Sequence, residues 1–336
     1  MSIPTTRFGR TGLQVSRLAL GTMTFGLQTD EPTSFAILDK ALAAGVTLVD
    51  TADVYPLGGT LQNAGATESI IGRWLKAGGP GRRGQVVLAT KAVGKMGPNP
   101  WDQGASRMHL LAAIDASLAR LQTDHVDLYQ LHHDDRDTPL DESLEALHNI
   151  VRSGRARYVG VSNFMAWRLA RMIGRAELLR LVQPVCVQPR YSLLFREIER
   201  ELLPLAEAEG LAVIPYNPLA GGLLTGKYRA AEGPQAHTRF TLGTAGQMYQ
   251  GRYWNERCFD TVRQLQQLAE RAAIPLPTLA VAWVMSKPVI TAPLLGASRP
   301  DQLDATLAAA ATRLDADLVA ELDKLTHEYR MGDAPR

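Results

Sequence analysis

The chain has little of several things, and each scarcity narrows its chemistry. Among 336 residues there are two cysteines, Cys186 and Cys258, with neither a CxxC pair nor a disulfide framework. That pattern is expected of reduced thiols in the cytoplasm. No run of about 18 uncharged apolar residues exists, the length a spanning helix needs; the nearest, "GLAVIPYNPLAGGLL", is broken by prolines. Arg7, Arg10 and Arg17 interrupt the N-terminus, so no secretory signal is expected. Excess charge of either sign is also missing: 36 Lys and Arg stand against 34 Asp and Glu, a formal net charge of +2. A nucleic-acid or membrane-surface partner is therefore not expected. Low-complexity linkers are lacking, as is the GxGxxG of a Rossmann unit.

What is present is an alternation. Short apolar runs recur at 17–21, 46–50, 86–91, 126–132, 157–163, 185–188, 211–216 and 289–296. Between them lie amphipathic segments, such as "SRMHLLAAIDASLARLQ", with Leu110, Leu111, Ile114, Leu118 and Leu121 at three- and four-residue steps. Nearly continuous apolar strands imply parallel pairing covered on both faces. The pattern predicts an α/β fold, a single (β/α)8 TIM barrel over residues 1–336. The early "TTRFGRTGLQVS" predicts a β-hairpin capping the barrel bottom. Residues 229–256, rich in Gly and aromatics and without clear periodicity, predict a long loop that serves as a lid at the C-terminal face.

In such a barrel, polar side chains at the C-terminal strand ends converge on one site. Here they are Asp50, Lys91, His132 and His133, with Tyr55 shortly after Asp50. A buried Lys91 needs a carboxylate, and Asp50 on the next strand supplies it. A phenol beside an ammonium has its phenolate favoured, so the Tyr55 pKa is expected to fall from about 10. Tyr55 then serves as a general acid, with a histidine donating to the same oxygen. Asp53 reads as a loop or capping residue. "GGLLTGK" approximates a phosphate loop, but Tyr228 stands where a magnesium-binding Ser or Thr belongs.

The stretches "VDTADVY", "LATK", "DLYQLHHDD", "YVGVSNF", "VIPYNPLAGGLLTGKY" and "LLGASRPDQL" resemble, in order and spacing, the motifs of the aldo-keto reductases. The resemblance runs from "LALGTMTFG" to about residue 310. It implies an NADPH-dependent carbonyl reduction with the tetrad Asp50, Tyr55, Lys91 and His132, His133 lying one step toward the substrate. It further implies that Ser162, Asn163 and Gln188 hold the nicotinamide amide and that Tyr216 stacks on the ring. Gly21, Thr22 and Met23 fall in a matching motif. Asn217, Pro218, Leu219, Gly221, Gly222, Leu224 and Lys227 would follow the pyrophosphate, where Gly permits backbone approach. Gly296, Ser298 and Arg299, at an expected helix start, suit a 2′-phosphate. Gln302 fits the adenine side, but Ala305 and Thr306 replace the Glu-Asn that often follows.

Candidate substrate-wall residues are Phe25, Trp101, His133 and Tyr253, with Phe240, Tyr249 and Trp254 either lining the wall or packing the lid. A small carbonyl compound, sugar-derived or aromatic, is the expected partner, with the protein a monomer or small homo-oligomer. Two other readings stay open: an NADPH-sensing regulatory subunit with slow turnover, and a hydrolase holding a metal at "HHDD". No metal is expected under the reductase reading. The loop 56–69 after Tyr55 is long, Glu68 and Ser69 match the resemblance loosely, and the loop is expected to shape substrate access or a subunit contact.

Overall fold

The computed structural model describes residues 3–333. The strands are β1 (Thr5–Arg7), β2 (Gln14–Ser16), β3 (Ala19–Gly21), β4 (Leu48–Asp50), β5 (Val87–Ala92), β6 (Val126–Leu131), β7 (Ala156–Ser162), β8 (Cys186–Gln188), β9 (Ala212–Val213) and β10 (Leu294–Gly296). β1 and β2 form an antiparallel hairpin, and the other eight form a parallel sheet in the order β10-β3-β4-β5-β6-β7-β8-β9. The two ends of that order meet. The Thr291 amide donates to the Val213 carbonyl and the Leu294 amide to the Pro215 carbonyl, both at 2.8 Å. The sheet thus closes into the expected (β/α)8 barrel, which leaves no open edge.

Helices α1 (Glu31–Ala43), α2 (Ala66–Ala77), α3 (Arg107–Leu121), α4 (Leu140–Arg152), α5 (Ala166–Leu178) and α6 (Leu202–Ala208) alternate with the strands. α7 (Gly243–Tyr253), α8 (Glu256–Arg271) and α9 (Leu276–Met285) separate β9 from β10, and α10 (Leu303–Leu307) and α11 (Ala316–Leu325) follow. Side-chain caps set several starts: Asp30 accepts from the Thr33 amide at 2.9 Å and Asn255 from the Cys258 amide at 3.0 Å. Among the described residues, no single helix is long and apolar enough to cross a membrane.

Two-residue alternation splits the buried side chains into two cores. One lies between strands and helices. The other fills the barrel, where Leu48, Ala89, Leu128, Cys186, Ala212 and Leu294 pack with Phe8 and Val15 of the hairpin region. The hairpin closes the floor: the Arg10 amide donates to the Gly210 carbonyl at 2.8 Å. Gly9, at φ +57°, is held so close that a Cβ there would stand 2.6 Å from the Ala212 amide nitrogen.

The segment 229–256 departs from the expected loop. Short 3-10 turns at Ala230–Glu232 and Arg239–Thr241 lead into the helix α7. Gly243, Gly246 and Gly251 erase any amphipathic stripe, so the helix depends on packing rather than on its own propensity. Phe240 anchors this segment, its ring 4.8 Å from Trp254 and 5.1 Å from Tyr228. Gly246 lies where a Cβ would meet the Phe240 carbonyl oxygen at 2.9 Å.

Candidate active site

The inward-facing alternation of β4, β5, β6 and β8 continues above the apolar layer as Asp50, Lys91, Gln130 and Gln188. Register aligns them: Asp50 stands opposite Ala89, Lys91 opposite Gln130, and Ser162 opposite Gln188. The Lys91 ammonium, fully buried, donates to Asp50 Oδ1 at 2.5 Å and to the Thr51 carbonyl at 2.8 Å. Asp50 Oδ2 accepts from Gln130 Nε2 at 3.1 Å and from Gln188 Nε2 at 2.9 Å. Burial pulls the Lys91 pKa down, but Asp50 and Tyr55 outweigh it and hold the ammonium above its ordinary range. Gln130 is a member of this network that the motifs did not single out. The signal was present, since it sits two residues after inward-facing Leu128 and two before His132.

Tyr55 leans over this pair, its ring centroid 5.1 Å from Lys91 Nζ. His132 meets the Tyr55 ring edge-on at 5.6 Å. The expected fall of the Tyr55 pKa is not found. Burial pushes the phenol up and outweighs the pull of the Lys91 charge and its hydrogen bond, so the group is raised above 10.0. The phenol therefore carries its proton at neutral pH. Burial first, then Lys91, drives His132 well below 6.5, so its imidazole is neutral and one ring N–H remains to donate. His133 is exposed and lines the cavity beside it.

Asp53 lies in the turn after β4, as expected of a loop residue, but it is fully buried, and neither carboxylate oxygen has a hydrogen-bond partner among the described residues. Burial and the nearby Glu68 raise its pKa well above 3.8. Glu68, also buried, accepts from Thr90 Oγ1 at 2.5 Å and from Arg120 Nε at 2.7 Å. The Arg120 charge opposes this shift, but burial and Glu68 outweigh it and favour the protonated form of Asp53. Its folded pKa lies above the unfolded one, so the unfolded chain loses this proton first and stability falls as pH rises from about 4 toward the raised value. Asp53→Asn should change stability by under about 1 kcal/mol near neutral pH, whereas breaking a buried ion pair costs about 3–5 kcal/mol. Urea midpoints at about pH 5 and about pH 8 check both the size and the sign.

Above these residues opens a cavity of about 1030 Å³. Its wall includes Gly21, Thr22, Met23, Asp50, Tyr55, His132, Ser162, Asn163, Gln188, Tyr216, Asn217, Pro218, Leu219, Gly221 and Lys227, and at the far end Gly296, Ser298, Arg299 and Gln302. Leu224 is not on it; the side chain is buried in the outer core. Asn163 Nδ2 donates to the His132 carbonyl at 2.9 Å, while its Oδ1 accepts from the Tyr216 hydroxyl at 2.6 Å. Burial pushes the Tyr216 phenol up to about 12.

The donor set fits a dinucleotide phosphate. Gly221 and Gly222 at φ +70° and +98° turn the backbone back beneath the cavity. Arg239 stands over this turn with a buried Nη1 that has no hydrogen-bond partner among the described residues. At the far end, burial and then the like charge of Arg299 lower the Lys227 pKa, an unfavourable pairing that an anion between them would relieve. The expected helix start there is instead a 3-10 turn, Pro300–Gln302, before the short α10, so side-chain charge outweighs any macrodipole. Gln302 Oε1 accepts from the Ser298 amide at 2.9 Å.

Three expected substrate-wall residues lie elsewhere. Phe25 is fully buried in the outer core, Trp101 is 52% exposed away from the cavity, and Tyr253 is buried with its hydroxyl accepting from Asn217 Nδ2 at 3.0 Å. Sequence spacing cannot tell an aromatic that packs from one that lines. In their place the cavity takes Met248, Tyr249 and Arg252 from α7, and Pro56, Leu57, Gly58 and Gly59 from the long loop after Tyr55. The "HHDD" donors diverge. Asp134 is held by Arg168 at 2.9 Å, Asp135 accepts from the Ala105 amide at 2.7 Å, and no group of three or more metal-ligating side chains occurs among the described residues.

The family model described as "Aldo/keto reductase family" matches residues 17–327. The chain is 44% identical to "Uncharacterized oxidoreductase YrpG" of Bacillus subtilis, with 95% of each chain covered. It is 34% identical to "L-glyceraldehyde 3-phosphate reductase" of Escherichia coli over 88% of this chain and 84% of that one. Identity is 36% to "Probable voltage-gated potassium channel subunit beta" of Oryza sativa, over 88% and 87%.

Proposed function

Because the chain belongs to the aldo/keto reductase family and is thereby an oxidoreductase, we propose that it reduces an aldehyde or ketone to an alcohol with NADPH, Tyr55 acting as the general acid. The observation that carries this reading is the buried Lys91–Asp50 pair at 2.5 Å with the Tyr55 ring over Lys91 and His132 edge-on to that ring at the cavity floor. When bound, the nicotinamide supplies the hydride.

The protein's own side chains do the rest. Tyr55 holds a proton at its phenolic oxygen for the substrate's carbonyl oxygen. Neutral His132 donates a ring N–H to the same oxygen, and a site out of water strengthens both contacts. The Lys91 ammonium stabilises the phenolate left after transfer, and Asp50 keeps that lysine charged. Ser162, Asn163, Gln188 and Tyr216 would hold and face the nicotinamide, while Gly221, Arg239, Lys227 and Arg299 would take the phosphates. The reading includes a lid role for 229–256 and a cytoplasmic setting, the latter supported by two buried free thiols.

NADPH added to the protein should change its nicotinamide fluorescence, and a panel of aldehydes and ketones should then be reduced with NADPH consumed. With His132 depressed below 6.5 and Tyr55 raised above 10.0, kcat/KM for reduction should be flat between those limits. A bell peaking near neutrality would count against the assignment of roles. The similarity to a channel beta subunit supports a second reading, an NADPH-sensing subunit with slow turnover. Binding accompanied by one turnover and then very slow recycling would favour it.

A further inference from the structure

The cavity's charges do not balance, and the surplus lies at one end. Its wall carries the cations Lys227, Arg239, Arg252 and Arg299 against the carboxylates Asp50 and Asp301. Both acids are already paired, Asp50 with Lys91 and Asp301 with Arg299. An NADPH-type cofactor carries its anions on the pyrophosphate and the 2′-phosphate. Lys227 and Arg299 lie together at the far end, and Arg239 stands at the Gly221 turn. Those three account for the cofactor's phosphates, and Arg252 is left over.

Arg252 occupies the other end. It lies on α7 one turn beyond Tyr249, and Met248, Tyr249 and Arg252 present one helical face to the cavity. Its charge acts on the Tyr216 and Tyr253 hydroxyls, and Tyr249 in turn influences Tyr55 and Tyr216. This is the end where the nicotinamide, which bears no anionic group, would lie against Tyr216. The Arg252 side chain makes no hydrogen bond or ion pair among the described residues, although it is only part-exposed. A guanidinium kept at a cavity wall without a protein carboxylate is arranged for an anion from outside.

We propose that Arg252 is a specificity-determining residue that binds an anionic group on the substrate, so that the preferred substrates are carbonyl compounds carrying a carboxylate or phosphate a few bonds from the carbonyl carbon. The inference rests on the reductase reading and names its substrate class. The group is held by a fork of N–H donors on the lid helix while the carbonyl oxygen faces Tyr55 and His132. Carboxylate and phosphate share this chemistry.

The test uses matched pairs with the full-length protein and NADPH: succinic semialdehyde against butanal, and glyceraldehyde 3-phosphate against glyceraldehyde. In at least one pair the anionic member should have the higher kcat/KM, and the pair that shows it identifies the anion. Arg252→Gln should lower the ratio of anionic to neutral kcat/KM by about 10–100-fold, chiefly through KM, as loss of a charge-assisted contact does. Arg252→Lys should restore part of the ratio. Nicotinamide fluorescence on NADPH binding reports that each variant is folded. Ratios near one in both pairs, or a ratio that Arg252→Gln leaves unchanged, overturn the inference while leaving the reductase reading intact. If neither member of either pair, nor any other carbonyl compound, consumes NADPH, the reductase reading falls and takes this inference with it.

Discussion

Tyr55→Phe should lower kcat for carbonyl reduction by about 10²–10⁴-fold, the usual share of a positioned general acid, while NADPH affinity changes little. The substitution removes one oxygen and one proton from the floor of the cavity. It leaves the ring, whose edge-on contact with His132 at 5.6 Å does not use the hydroxyl. The phenol is raised above 10.0 by burial, so the wild-type acid is protonated across the physiological range and its loss is felt at every pH there. Stopped-flow mixing of the NADPH-loaded protein with substrate separates the chemical step from product release. A variant within tenfold of wild type in that step would show that another group delivers the proton, with His132 the next to test.

Lys91→Met should both abolish turnover and destabilise the fold by about 3–5 kcal/mol, the cost of leaving a buried charge without its partner. The carboxylate left behind, Asp50, is 2% exposed and would keep only the Gln130 and Gln188 amides. Adding Asp50→Asn removes the stranded charge, so the double variant should recover part of that stability while remaining inactive. Equilibrium unfolding in urea of wild type, both single variants and the double variant forms a cycle whose coupling reports the pair. Strict additivity would mean that Lys91 and Asp50 do not sense each other, and the 2.5 Å contact would then carry no energy. The double variant separates activity from stability: a protein that is folded yet inactive assigns Lys91 to the chemistry as well as to the scaffold.

Much of this arrangement was legible in the chain. Apolar strands ending in Asp50, Lys91 and His132 place those groups at one rim once a barrel is inferred. Alternation by two also determines that Leu48, Ala89 and Leu128 lie beneath them. Gln130 could have been found by the same count. The segment holding α7 was not legible as a helix, because glycines break its stripe and its stability comes from Phe240 and Trp254 packing around it. Nor did aromatic content distinguish Tyr249, on the cavity wall, from Phe25 and Tyr253, which are buried in the outer core.

The sequence by itself determined the family, the closed barrel and the identity of the four residues at its C-terminal rim, because strand periodicity and motif spacing are local properties of the chain. The tertiary structure decided the chemistry of the site: a phenol raised rather than lowered, an Asp53 carboxyl pushed up by burial and Glu68, and an Arg252 side chain without a partner among the described residues. Burial and charge pairing depend on segments far apart in the chain, such as β4 with β5 and α7 with the barrel rim. Desolvation grows with how completely those segments enclose a group, and no spacing of letters records that.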